Sequence, residues 1–191
     1  MSPKTAIQNK ELRRASIQKI KDAAFLLMAK NGYESTSIAQ IANEAGVSKG
    51  LLYNYFDSKR ALLQSLIEQA FETGDAIVSE LVSDEPGKTI EAMFTWFFKD
   101  LKMNADTWKL ITQLALQVDK YEFVKKVIKD KMNGYVEILK SLLGDLGYKN
   151  PELESMIIFA IMDGIGVEYL ILKEEYPLDE MEKFLINKYC G

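Results

Sequence analysis

Residues 48–59, SKGLLYNYFDSK, gather two serines, two lysines, an amide and two tyrosines into twelve positions. That set suits gripping a polyanion better than breaking a bond. Ser48 and the backbone N–H groups behind it form the positive end of a short helix, a seat for a phosphate. Lys49 adds a full charge there, and Gly50 lets the backbone come close to a nucleic acid. Tyr53 and Tyr55 can donate their hydroxyls to phosphate oxygens while their rings pack on the scaffold. Asn54 carries the donor and acceptor that match adenine, and Leu51 suits a thymine methyl. Lys59, in the first turn of the next helix, opposes that helix's dipole, a conflict that a nearby phosphate would remove. Taken singly, each residue also has a plainer reading, as a half-buried aromatic, a solvated amide or a surface lysine.

Other chemistry is poorly provided for. The chain has no histidine, the commonest general base and metal ligand, so hydrolytic or metal chemistry is disfavoured. No phosphate loop and no nucleophile turn occurs. We expect no enzyme, no metal and no cofactor. The single cysteine, Cys190, rules out an intrachain disulfide and fits a reducing compartment. The longest apolar run, MIIFAIM, ends at Asp163, short of the roughly 20 residues that span a bilayer. The N-terminal MSPKTAIQNKELRR has no apolar signal core, so the expected compartment is the cytoplasm, with no membrane partner. Residues 1–60 hold 10 Lys and Arg against 5 Asp and Glu; the rest hold 14 against 23. A basic first third on an acidic remainder suggests that one end meets an anion.

The elements that must position these residues read as helices. Ile17, Ile20, Ala24, Leu27 and Met28 recur at spacings of three and four over about 9–30, and Gly32 follows as a stop. Thr36 or Ser37 then caps a second helix, Gln40 completing a capping box with Ser37, and Ile38, Ile41, Ala42 and Ala45 form its stripe. Gly46 ends it, and Ser48 caps a short third helix, KGLLYNYF, whose Leu52 and Phe56 face inward. Asp57 or Ser58 begins a long fourth helix reaching about Ser83. Two short helices joined by a glycine-containing turn are the sequence form of a helix-turn-helix, whose second helix can lie in a DNA major groove. Further helical patterns occupy about 88–103, 105–118, 121–143, 151–174 and 178–189. The expectation is an all-α chain of about nine helices.

The run TSIAQIANEAGVSKGLLYNYFDSKRALL, Thr36 to Leu63, resembles the DNA-binding signature of the TetR family of bacterial transcription regulators. The resemblance covers roughly residues 10–65. It implies an N-terminal three-helix DNA-binding domain, 1–57, and a C-terminal bundle, 58–191, that binds a small ligand and dimerises. Carried over by position, it implies phosphate contacts from Thr36, Ser48, Lys49, Tyr53, Tyr55 and Lys59. Base or groove contacts would come from Gly50, Leu51 and Asn54. The sequence departs from frequent family choices at Leu51, Asn54 and Tyr55, which bears on operator sequence rather than on binding.

In the acidic remainder, 151–174 is apolar nearly all round, so it must be buried on more than one side. Met181, Phe184, Leu185 and Ile186 give 178–189 an apolar stripe. Pairing both segments with their copies in a homodimer would bury them as a four-helix interface; an internal core is the alternative. Met93, Trp96, Phe97, Trp108, Met132 and Tyr135 belong to a region rich in large apolar side chains that can line an adaptable cavity or simply form core. Gln113, Gln117 and Asp163 are polar residues in apolar stretches, suited to orienting a small-molecule effector; Asp163 equally suits a helix kink or a bond across the dimer. The expected function is a ligand-responsive regulator, a repressor bound to a palindromic double-stranded DNA operator and released by an apolar or amphipathic molecule. Its rivals are a helical enzyme and a dimeric binding module without DNA function.

Overall fold

The computed structural model describes residues 6–117 and 119–190, which hold nine α-helices and one 3-10 turn. They are α1 (Ala6–Asn31), α2 (Ile38–Glu44), α3 (Lys49–Tyr53), α4 (Lys59–Leu81), α5 (Pro86–Met103), α6 (Ala105–Ala115), α7 (Glu122–Asp145), α8 (Pro151–Leu172) and α9 (Leu178–Cys190). The chain divides into two compact units, 1–69 and 70–191. The division falls inside α4, so residues 59–69 of that helix belong to the first unit and the rest to the second. Val118, at the end of the expected sixth helix, lies outside the described residues.

In the first unit α1 packs on α2, and α2 on α3. Ile20, Ala24, Met28, Ile41 and Leu52 are fully buried, as their spacing leads one to expect, and Leu62 and Leu63 of α4 are buried with them. The two glycines at the turns have the reason glycine is used there. Gly32 (φ 82°) and Gly46 (φ 65°) lie in the left-handed region that side chains resist. Lys21 ties α1 to α4, its Nζ donating to the Ser65 carbonyl at 3.3 Å and to Gln69 Oε1 at 2.9 Å.

The second unit is a helical bundle in which α5 packs on α9 and α7 on α8, with α6 against α5, α7 and α8. Its core runs through Ile90, Phe94, Phe97, Phe98 and Leu101 of α5, Leu139 and Leu143 of α7, Ile158 and Ile165 of α8, and Leu185 and Tyr189 of α9. Each fully buried aromatic or leucine there contributes about 1.5–3 kcal/mol of transfer free energy. The opposite side of α8 is uncovered. Leu153, Met156, Ile157, Val167 and Ile171 are exposed, as is Phe184 of α9 at 62%. Pro151–Glu175 is the one stretch among the described residues long and apolar enough to cross a membrane.

Candidate nucleic-acid interface

The reading helix is shorter than its sequence suggested. It ends at Tyr53, with Asn54 as C-cap, so Tyr55 and Phe56 follow the helix rather than belong to it. The last turn tightens there, the Tyr55 N–H bonding the Leu52 carbonyl three residues back at 3.0 Å, while the Asn54 and Phe56 N–H groups still reach four residues back. Five residues of helix cannot stand alone. Leu52, fully buried, and Phe56, 8% exposed, pin this segment to the unit's core.

Most of the rest of the segment is open to solvent. Lys49, Gly50, Tyr53 and Asn54 are exposed, while Leu51 and Tyr55 are half-buried. Tyr53 is 51% exposed, which rules out the plain core reading for its ring. Ser48 Oγ accepts the Leu51 N–H at 3.1 Å and keeps its own O–H to donate. Adding a Cβ to Gly50 would meet only Ser48 Oγ, at 3.9 Å. Nothing among the described residues demands glycine there.

Two of the expected phosphate contacts do different work. Thr36 is 1% exposed, and its hydroxyl donates to the carbonyls of Gly32 (2.9 Å) and Leu27 (3.2 Å). It pins the turn after α1. The α2 cap is Ser37, whose Oγ accepts the Gln40 N–H while Gln40 Oε1 accepts the Ser37 N–H at 2.8 Å. Lys59 Nζ donates to the carbonyls of Tyr33 (2.9 Å), Thr36 (3.0 Å) and Glu34 (3.3 Å), and lies 4.2 Å from the Tyr33 ring centroid. Its three hydrogens are matched by three carbonyls, so the dipole conflict is answered by the α1–α2 turn and not by a phosphate. Arg13 is a residue that sequence reasoning missed. Its guanidinium stands 5.4 Å from the centroid of Tyr55, adding positive charge beside the segment after α3. The charge surplus of residues 1–60 was the only signal for it.

The residues expected to hold a ligand converge only in part, Trp96 and Tyr135 both approaching Gly74 of α4. Met93, Trp96 and Trp108 pack against the bundle core, and Phe97 lies within it at 2% exposure. Trp108 meets Phe97 edge-on at 5.3 Å, and its Nε1 donates to Asp100 Oδ2 at 2.9 Å, so it closes the α5–α6 corner. Gln113 is half-buried on α6. Gln117 is exposed in the turn after α6, Met132 is 40% exposed on α7, and Asp163 is exposed on α8. In a single chain these three line no interior site. Asp163 nevertheless sits among enough apolar atoms for its carboxyl pKa to be raised.

Tyr135 does find a polar setting, and its partners were not foreseen. Its hydroxyl donates to Asp75 Oδ1 at 2.8 Å, and Lys131 Nζ bonds and ion-pairs with Asp75 Oδ2. Burial, and then the bond to the Asp75 carboxylate, raise the pKa of Tyr135, so the phenol stays protonated. Burial also pushes the Asp75 carboxyl up, but the bonds from Lys131 and Tyr135 outweigh it and the net shift is downward.

The family profile described as bacterial regulatory proteins, tetR family, matches residues 20–66, the stretch that holds this segment and its supports. Residues 20–66 carry the DNA-binding domain of the TetR family. Over 176 residues it is 27% identical to the fatty acid metabolism regulator protein of Bacillus subtilis, covering 87% of this chain and 89% of that one. Among solved structures, the fatty acid degradation regulator FadR of Bacillus halodurans superposes with a TM-score of 0.77 at 24% identity, over 100% of this chain and 97% of the other. FadR of Bacillus subtilis in complex with stearoyl-CoA superposes with a TM-score of 0.76 at 22% identity, over 91% and 97%. At these identities the two structures establish the shared fold. The relatives that this chain resembles are transcriptional regulators, not enzymes.

Proposed function

We propose that the chain is a ligand-responsive repressor that binds a palindromic operator as a homodimer. The observation that carries the reading is the division of labour at 48–56: Leu52 and Phe56 are buried, Ser48, Lys49, Gly50, Tyr53 and Asn54 are exposed, and Leu51 and Tyr55 are half-exposed. Ser48, Lys49, Tyr53 and Tyr55 hold phosphates, with Arg13 beside Tyr55. Gly50, Leu51 and Asn54 face the groove. Thr36 and Lys59 act indirectly, by fixing the turn against which α2 and α4 begin. The functional division is a DNA-binding domain, 1–57, and a ligand-binding and dimerisation domain, 58–191.

Dimerisation through 151–174 and 178–189 is supported by the uncovered apolar stripe of α8 and by Phe184. Two subunits are also what an operator of two half-sites about 34–36 Å apart requires. A membrane span is a poor alternative for α8, because Asp163 and Glu168 stand on its exposed side and a carboxylate at a bilayer centre costs about 2.5–3.5 kcal/mol. The protein accordingly works in the cytoplasm. The names of the Bacillus regulators point to an effector with a fatty acyl body. Such a ligand releases DNA only by favouring the DNA-incompetent state, by about 1–3 kcal/mol in usual couplings.

Selection of the purified protein against a random duplex library at moderate salt tests this. The expected result is an enriched palindrome. On that operator the Lys49→Ala, Tyr55→Phe double variant should bind about 10–100-fold more weakly, with a salt slope lower by about one. A double variant that binds like the wild type overturns the contact assignment.

A further inference from the structure

Asp75 of α4 is held from α7 by two donors, one cationic and one neutral, that lie one helical turn apart at Lys131 and Tyr135. The pair is partly open to solvent, but its tyrosine is packed. The Tyr135 ring is stacked on Phe159 at 6.3 Å. Gly74 admits Tyr135 to the α4 backbone, since a Cβ there would meet Tyr135 Oη at 3.1 Å and Trp96 at 3.7 Å. The donor pair thus has a carboxylate on one side and aromatic surface from Trp96 and Phe159 around it. Two donors aimed at one carboxylate will take another oxyanion in the same geometry. Exchanging one carboxylate for another leaves the count of charge-assisted bonds unchanged, so the selectivity must come from what is attached to the incoming anion. Next to these rings, that is an apolar chain.

We propose that Lys131 and Tyr135 form an oxyanion seat that Asp75 fills in the free protein, and that an amphipathic effector with a carboxylate or phosphate head displaces Asp75. The inference rests on the ligand-responsive reading and names its chemistry: the effector is an anion with an apolar tail. Asp75 is then a built-in competitor. Its release frees residues 70–81 of α4 from α7, and α4 is the helix whose first half belongs to the DNA-binding unit. An uncharged molecule of the same length has nothing with which to replace Asp75 and leaves the tether in place.

Binding of decanoate, decyl phosphate and decanol to the full chain, followed by calorimetry without DNA, tests this. The wild type should bind at least one of the two anions about tenfold or more tightly than decanol; which anion wins separates a carboxylate effector from a phosphate one. Asp75→Asn, which removes the competing charge, should tighten that anion about tenfold and leave decanol unchanged. Lys131→Met should erase the preference for the anion. Anions that bind no better than decanol in the wild type overturn the proposal without recourse to any variant. So does an Asp75→Asn protein whose anion affinity is unchanged or weaker. Because no operator is present, these results stand apart from the selection experiment: a failed selection with intact anion competition breaks the repressor reading alone, and the reverse breaks the oxyanion seat alone.

Discussion

The turns around the helix-turn-helix and the α4–α7 contact of the bundle satisfy their polar groups with different kinds of partner, although Lys21 of the first unit also reaches a distant side chain, Gln69. In the first, Ser37 and Gln40 exchange bonds three residues apart, and Thr36 reaches carbonyls four and nine residues away. Even Lys59, which reaches back 23–26 residues, lands on backbone carbonyls. In the second, Asp75 meets side chains 56 and 60 residues further on. A bond to a carbonyl does not depend on which residue owns it, whereas a side-chain pair needs both identities and a fold to join them. The first kind stabilises a local geometry; the second can be exchanged for a ligand.

The comparison breaks most sharply at Lys59. If the turn's carbonyls are its true partners, Lys59→Met should cost the free protein about 2 kcal/mol, the worth of a charge-assisted bond with partly buried partners. Calorimetric melting in the absence of DNA reads this directly. An unchanged melting temperature combined with weaker operator binding would return Lys59 to the phosphate contacts.

Tyr189 tests the bundle's side of the contrast. Its hydroxyl is buried with no hydrogen-bond partner among the described residues, while its ring packs near Phe94 and Tyr148. Such an orphan costs about 1–3 kcal/mol, and replacing it by an apolar group of the same shape recovers part of that. Tyr189→Phe should raise the urea midpoint by the equivalent of about 1 kcal/mol at constant m-value. A loss of stability would mean that the hydroxyl has a partner, and would make the bundle's polar accounting as complete as that of the first unit.

The same difference in partner decides what could be read from the sequence. Helix number, most boundaries, the Ser37–Gln40 box and the Ser48 cap follow from spacings of three and four, where one residue's type constrains its neighbour. The end of α3 was misplaced because Leu52 and Phe56 are both buried and four apart, a helical signature that the chain meets after the helix has already ended at Tyr53. Thr36 and Lys59 were assigned outward because neither their burial nor their carbonyl partners leave a mark in residue type. Asp75 and Lys131 were invisible for a stronger reason. On their own helices each is one charged residue among many, and only the packing of α4 on α7 turns them into a pair. Gln117, Met132 and Asp163 are exposed in the single chain, which residue type does not foretell, since polar or flexible residues in apolar stretches look alike whether the stretch faces a cavity or an uncovered surface.

The smallest effect expected is at Gly50, and it separates the two kinds of reason a residue can have. Gly74 is fixed from within, by Tyr135 and Trp96, whereas a Cβ at Gly50 would make only an ordinary contact, 3.9 Å from Ser48 Oγ. In a helix, glycine is less favourable than alanine by about 0.5–1 kcal/mol. With no tight internal contact to offset this, Gly50→Ala should stabilise the free protein by about that amount, measured as a denaturation midpoint. The same methyl stands on the exposed face of the reading helix, so operator affinity should fall several-fold while stability rises. Opposite signs in the two measurements would place the reason for Gly50 outside the chain, on the DNA. If both rise together, no nucleic acid approaches the backbone at this position, and Leu51 and Asn54 on either side of it would have to be reconsidered as groove contacts.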